Sequence, residues 1–121
     1  MTTDTKKTLI KNGTLADGRV CDVLIEDGFI QSVAPSLNDT EAIVFDAKSM
    51  IVMSGLVDLH THLREPGKED SETILSGSRA GVKGGYVALS AMANTSPVAD
   101  TAGVVEQVYR LGKSAGLLDV F

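Results

Sequence analysis

Residues 51–67 read IVMSGLVDLHTHLREPG. The first part of this stretch, Ile51 to Leu59, is almost entirely apolar, which predicts a strand buried on both faces of a sheet. The apolar run gives way directly to a polar segment that contains His60 and His62. In α/β proteins, functional side chains gather where strands end at their carboxyl side. The stretch therefore predicts an α/β fold with a site at the end of this strand.

The chain after residue 67 alternates between helical and strand patterns. We expect a helix over 70–82 with Asp70 or Ser71 as its N-cap, ended by Gly84-Gly85. A strand over 86–91 follows, then a helix over 101–115 capped by Asp100 or Thr101, and a strand over 117–121. The order strand, helix, strand, helix, strand is the repeat of a parallel α/β fold.

The pattern alone does not decide between an open doubly wound sheet and a (β/α)8 barrel. A barrel takes about 250 residues, so the 121 residues here hold only part of one. A final strand with no helix after it is an unusual place for a natural stop. We therefore interpret the chain as truncated.

Residues 1 to about 50 have a different pattern, with several short β-rich runs and no helix between them. Asp27-Gly28 separates two apolar runs and predicts a hairpin, because a type I′ turn needs positive φ at both central positions. Such strands cannot bury two faces alone. We expect this region to pair with further chain or with a neighbouring domain.

Charge and cysteine content exclude several classes of protein. The formal net charge is −5 and no basic run is present, which argues against a nucleic-acid surface. One cysteine, Cys21, allows no disulfide within the chain and fits a reducing compartment. The first seven residues do not resemble a signal peptide, and no apolar run approaches the roughly 20 residues of a membrane span. We expect a soluble, cytoplasmic protein without a membrane or nucleic-acid partner.

The histidines are the strongest candidates for chemistry. Alternate residues of a strand point to the same side, so His60 and His62 are predicted to project together and to bind one divalent metal ion. Asp58 falls on the same side and is a candidate to orient an imidazole without binding the metal itself. The alternative is a pair of solvent-facing histidines at a strand end.

Two further residues are candidates for binding a substrate. Arg64 continues the alternation 60, 62, 64, and its guanidinium suits a bidentate grip on a carboxylate. Asn94 lies in the loop after the second strand and can donate to a carboxylate or accept from a ring N–H. Surface positions with no functional role are the alternatives for both. Glu65 is expected to cap a helix or form a salt bridge in its loop.

The motifs together resemble those of dihydroorotases. Residues 55–67, Gly84-Gly85-Tyr86 and residues 92–97 are similar to the family's landmarks, at fitting distances. Hydantoinases and dihydropyrimidinases lack the Arg that follows the two histidines, and allantoinases tend to carry Asn there, so Arg64 favours dihydroorotase. Ala93 stands where the family usually has Pro, which would loosen the loop that holds Asn94.

The resemblance implies two domains and a specific chemistry. Residues 1–52 would begin a small β-sandwich, and 53–121 would be the first βαβαβ portion of an amidohydrolase (β/α)8 barrel. His60 and His62 would bind one metal of a binuclear zinc centre whose bridging hydroxide would attack the ring amide carbonyl of dihydroorotate. The reverse reaction would close this ring from carbamoyl aspartate. Arg64 and Asn94 would hold the substrate carboxylate. The other metal ligands and the catalytic Asp would lie beyond Phe121, so no catalytic residue is expected within this chain, which alone should be inactive.

Other functions stay open at this point. A non-catalytic dihydroorotase-like subunit could support aspartate transcarbamoylase, although such homologues typically lose the two histidines. A hydantoinase or allantoinase type of cyclic amidohydrolase is the other alternative. A homodimer and an association with aspartate transcarbamoylase are both compatible with the resemblance.

Overall fold

The computed structural model describes residues 7–121, which form two compact units, one that ends at Ser54 and one that spans Gly55–Phe121. Residues 1–6, which include most of the segment judged unlike a signal peptide, lie outside the described residues. The units divide two residues after the domain boundary expected from the sequence. Assignment of the units to a β-sandwich and a barrel stays a prediction.

The first unit is a five-stranded sheet. Its strands run in the order β3-β2-β1-β4, and β5 also pairs with β1. β1 is antiparallel to β2 and parallel to β4 and β5. The bounds are β1 Lys7–Leu15, β2 Val20–Glu26, β3 Phe29–Ala34, β4 Ile43–Asp46 and β5 Ile51–Val52.

The turn between β2 and β3 confirms the predicted hairpin. Asp27 has φ 51° and Gly28 has φ 82°, so both central positions adopt the left-handed backbone that a type I′ turn requires. The two strands pair antiparallel from Glu26 with Phe29 outward. The Asp-Gly pair therefore sets this register through local backbone geometry.

The second unit has the predicted α/β order. Its three strands are parallel and lie in the order β6-β7-β8, so consecutive strands are neighbours. Leu63, Ile74, Leu89, Val108 and Val120 form its buried core. The bounds are β6 Leu56–Thr61, α1 Ile74–Lys83, β7 Tyr86–Ala91, α2 Ala102–Ala115 and β8 Asp119–Val120. Across residues 7–121, neither helix is long and apolar enough to cross a membrane.

The prediction of one buried strand over Ile51 to Leu59 is wrong. The run divides into β5, which pairs with β1, and β6, which pairs with β7. A continuous apolar pattern does not show that its two parts belong to different sheets. Leu59 is also 76% exposed, because the described residues supply no layer that covers this side of β6.

The helix N-termini were predicted with mixed success. Thr101 caps α2 as expected, and its side chain accepts from the Val104 N–H. α1 begins later than predicted, with Thr73 as N-cap in place of Asp70 or Ser71. Thr73 and Ser76 form a reciprocal capping box, in which each side chain accepts from the other residue's backbone N–H. Because Ser76 replaces the usual Glu or Gln of this box, the sequence signal was weak.

Candidate metal centre

Parallel pairing places two loops at the same edge of the second sheet. β6 ends at Thr61 and β7 ends at Ala91, and these two residues are partners in the sheet. The Met92 N–H donates to the Thr61 carbonyl at 2.9 Å. The loop after β6, residues 62–73, and the loop after β7, residues 92–101, therefore begin side by side.

His60 and His62 lie next to each other at this edge. Their ring centroids are 5.1 Å apart, with an angle of 64° between the ring planes. His60 is exposed and His62 is half-buried. Two accessible imidazoles at this separation suit a shared divalent ion such as zinc. Within residues 7–121 no group of three or more His, Cys, Asp or Glu side chains could complete such a site.

Asn94 contacts His62 from the neighbouring loop. The Asn94 Oδ1 lies 2.9 Å from His62 Nδ1. With the amide oxygen facing the ring, Nδ1 is the donor, and in a neutral imidazole this tautomer leaves the Nε2 lone pair for a metal ion. Two roles were expected for Asn94, donation to a carboxylate and acceptance from a ring N–H. The contact with His62 is the second of these.

Asp58 is bound to the main chain at this site. Its Oδ1 accepts from the His60 backbone N–H at 2.9 Å. This hydrogen bond lowers the pKa of the Asp58 carboxyl below its ordinary value, since it stabilises the charged form. The carboxylate thus fixes the backbone that carries His60, and its predicted contact with an imidazole stays a prediction.

Arg64 does not continue the alternation of β6, so that part of the sequence argument is wrong. The strand ends at Thr61, and Arg64 has φ 61°. The Glu65 N–H donates to the Leu63 carbonyl at 2.7 Å, which closes a tight three-residue turn around Arg64. Strand periodicity cannot aim a side chain across such a turn. The role of Arg64 in substrate binding stays a prediction on other grounds.

Glu65 connects the first loop to α1. Its Oε2 accepts from the Ile74 backbone N–H at 2.7 Å, which agrees with capping, one of the two roles expected of Glu65. Sequence reasoning missed a second connection, between the two loops. The Ser96 N–H donates to the Pro66 carbonyl at 3.0 Å, and Gly67, at φ 98°, lies so close to Ser96 that a Cβ there would clash with its carbonyl oxygen.

The sequence matches a family model and several curated relatives. The family model described as Dihydro-orotase-like matches residues 49–116, more than half of the chain. The chain is 54% identical over 114 residues to a dihydroorotase of Streptomyces coelicolor, covering 94% of this chain and 27% of that protein. It is also 54% identical over 112 residues to a dihydroorotase of Leifsonia xyli subsp. xyli, covering 93% and 26%. The chain thus spans about a quarter of the length of these relatives.

Two solved structures have a similar fold over the length of this chain. A D-hydantoinase superposes with a TM-score of 0.80 at 28% identity, over 94% of this chain and 26% of that one. A dihydropyrimidinase from Brevibacillus agri superposes with a TM-score of 0.79 at 27% identity, over the same shares of the two chains. Together with the family match, these likenesses show that the chain belongs to the dihydroorotase-like family.

Proposed function

We propose that this chain carries part of the metal-binding and substrate-binding site of a dihydroorotase. The reaction would be the reversible hydrolysis of the cyclic amide of dihydroorotate, or the cyclisation of carbamoyl aspartate, in cytoplasmic pyrimidine biosynthesis. The observation that carries the proposal is the adjacency of His60, His62 and Asn94 at one sheet edge. The 54% identity to curated dihydroorotases supports the choice of reaction.

The residues present fit a zinc ion by the chemistry of their donors. Imidazole is a common zinc ligand, and the Asn94 contact favours the neutral His62 tautomer whose Nε2 lone pair can bind the ion. A metal ion held there would make water nucleophilic at neutral pH. His60 and His62 would hold one metal of a binuclear centre. With only these two ligands, the 121 residues alone are expected to show no turnover.

Arg64 and Asn94 are proposed to hold the substrate carboxylate. Dihydroorotate carries a ring carboxylate, which hydantoin and dihydrouracil lack. A guanidinium can donate two parallel hydrogen bonds to a carboxylate, and the Asn94 amide nitrogen can donate another. Charge recognition would therefore separate a dihydroorotase from its relatives that act on uncharged rings.

The second unit is proposed to be the start of a (β/α)8 barrel. Three parallel strands in consecutive order, with helices between them, are what the first part of such a barrel requires. The superposition on a D-hydantoinase supports this. A homodimer or an association with aspartate transcarbamoylase would be compatible with this architecture.

A hydantoinase-type activity is the second candidate, because a D-hydantoinase and a dihydropyrimidinase superpose with TM-scores of 0.80 and 0.79. The deciding experiment uses the protein expressed from its complete reading frame. Hydrolysis of dihydroorotate, hydantoin and dihydrouracil is measured before and after chelator treatment and zinc restoration. We expect chelator-sensitive turnover of dihydroorotate in large excess over the others. Preference for an uncharged ring would contradict the proposal, and the absence of all turnover would support a non-catalytic subunit.

A further inference from the structure

Arg64 occupies the centre of a strained turn. Its φ is 61°, and the hydrogen bond from the Glu65 N–H to the Leu63 carbonyl spans only two residues. The positive-φ form of such a γ-turn is rare and strained. A long side chain at positive φ persists only where the surrounding structure enforces it, and such positions cluster at functional sites. Glycine would relieve the strain, yet the sequence has arginine.

Both neighbours of Arg64 are anchored to α1. Leu63 is 3% exposed and belongs to the core with Ile74. It packs so closely on Gly77 that a Cβ there would lie 2.5 Å from Leu63 Cδ2. On the other side, Glu65 accepts from the Ile74 N–H. The helix therefore holds the turn at two points, one apolar and one polar.

The bond from Ile74 to Glu65 is separate from the helix's own cap. Thr73 and Ser76 already satisfy each other's backbone N–H groups. The Ile74 N–H is one of the remaining free donors of the first turn, and a distant carboxylate in the preceding loop accepts it. A negative charge is also favourable at this end of the helix. Loss of Glu65 would thus release the loop while α1 keeps its capping box.

We propose that Glu65 is a positioning residue that holds Arg64 in its strained conformation, so that the guanidinium meets the substrate carboxylate. This inference rests on the dihydroorotase activity proposed above. Glu65 touches neither substrate nor metal in this scheme and acts only through Arg64. Its effect on the reaction should therefore vanish when Arg64 is absent.

The test is a double-mutant cycle in the protein expressed from its complete reading frame. Glu65→Ala should lose about ten- to a hundredfold in kcat/KM on dihydroorotate, the scale of a misplaced binding group. The loss should appear mainly in KM, with zinc content unchanged. Glu65→Gln keeps an acceptor of the same reach and should restore most of the activity. In an Arg64→Met background, Glu65→Ala should cost no more than about twofold further, because coupled residues are non-additive.

Thr73→Ala is the matched control, since it weakens the same helix end without touching Glu65. It should lower the thermal stability by an amount similar to Glu65→Ala and leave KM unchanged. If Glu65→Ala does not fold, Glu65→Asp, which moves the carboxylate one methylene group away from the Ile74 N–H, replaces it in the cycle. If the losses from Glu65→Ala and Arg64→Met were additive, or if Thr73→Ala changed KM equally, this inference would be overturned. The proposed function would not be affected. A wild-type protein without dihydroorotate turnover would instead overturn the proposed function and, with it, this inference.

Discussion

Asn94 Oδ1 lies 2.9 Å from His62 Nδ1, and the two residues are 32 positions apart in the sequence. The contact joins the loops after β6 and β7 and selects the His62 tautomer that presents Nε2. Groups that hold a histidine in this way typically affect metal affinity as well as ring orientation. Removing the Asn94 amide should therefore change zinc affinity, which can be measured without an activity assay.

Asn94→Ala should weaken zinc binding by about ten- to a hundredfold, the usual effect of removing the partner of a metal-binding histidine. Zinc affinity is measured by competition with a chromogenic chelator. Thr95→Ala is the control, because the Thr95 hydroxyl donates to the Pro97 carbonyl within the same loop and not to His62. Unchanged zinc affinity in Asn94→Ala would show that the amide does not orient a metal ligand.

Gly67→Ala should destabilise the second unit and separate the two loops. Gly67 has φ 98°, and a Cβ would clash with the Ser96 carbonyl oxygen. Gly18→Ala is the matched control, because Gly18 has a similar φ of 87° with no atom within 4 Å of its Cβ position. Backbone strain of about 1–3 kcal/mol is common to both variants. If the contact between the loops matters, Gly67→Ala should lose more unfolding free energy than Gly18→Ala and should also bind zinc more weakly.

Two glycines of α2 should respond oppositely to alanine. A Cβ on Gly112 would lie 2.6 Å from the Val120 Cβ in β8, whereas a Cβ on Gly103 would meet no atom within 4 Å. Gly103→Ala should stabilise the protein by about 0.4–1 kcal/mol, because alanine loses less backbone entropy on folding. Gly112→Ala should destabilise it by about 1–3 kcal/mol through overpacking. Thermal unfolding of both variants tests this prediction. Equal shifts in melting temperature would contradict this packing of α2 on β8.

Asp22 should make the stability of the first unit depend on pH. Asp22 is 2% exposed, and its carboxylate accepts from the Asn12 and Leu37 N–H groups at 2.8 and 2.9 Å, with the Lys11 Nζ at 3.6 Å. The hydrogen bond from Asn12, then that from Leu37, lowers the pKa of Asp22 below its ordinary value. A depressed folded-state pKa contributes stability that is fully present above the unfolded-state pKa of about 4. That contribution is lost as the pH falls through the folded-state value.

Asp22→Asn should therefore lower the free energy of unfolding near neutral pH by about 1–3 kcal/mol, the range for a buried hydrogen-bonded charge. The difference from wild type should shrink as the pH falls below about 4. Asp17→Asn is the control, since Asp17 is half-exposed and pairs with the exposed Arg19. Urea unfolding from pH 3 to 7 measures all three proteins. A constant difference at every pH would show that the Asp22 charge contributes nothing.

The sequence predicted the features that depend on local chemistry. The Asp27-Gly28 turn, the alternation of strands and helices, and the Thr101 cap all follow from neighbouring residues, and the structure confirms them. The division of residues 51–59 between two sheets was missed, because an apolar pattern does not show which strand each part of the run pairs with. The late start of α1 was missed because Thr73 and Ser76 form a capping box of unusual composition.

Site geometry was predictable only where periodicity applies. His60 and His62 are adjacent as expected, since His60 lies in β6 and His62 directly follows Thr61, its last residue. At Arg64 the same extrapolation fails, since a positive φ interrupts the strand geometry. The contact between Asn94 and His62 depends on the pairing of β6 with β7, which the order of elements suggested but did not place in register.

Arg64 should distinguish charged from uncharged substrates in the protein expressed from its complete reading frame. Arg64→Met removes the charge, and Arg64→Lys keeps the charge but loses the bidentate fork. A charge-assisted hydrogen bond contributes about 1.5–3 kcal/mol, which corresponds to roughly one to two decades in kcat/KM. Arg64→Met should therefore lose at least about tenfold on dihydroorotate, with Arg64→Lys between it and wild type. Zinc content should not change.

The strained backbone adds a second readout at the same position. Arg64→Gly should raise the thermal stability, because glycine adopts φ near 60° without steric cost, while activity on dihydroorotate falls as in Arg64→Met. A residue that costs stability but supports activity is expected at a functional site. The Arg64 variants should lose much less activity on uncharged cyclic amides than on dihydroorotate. Equal losses on both substrate types would mean that Arg64 supports the fold or the metal centre, and the choice of dihydroorotase over hydantoinase would then rest on sequence identity alone.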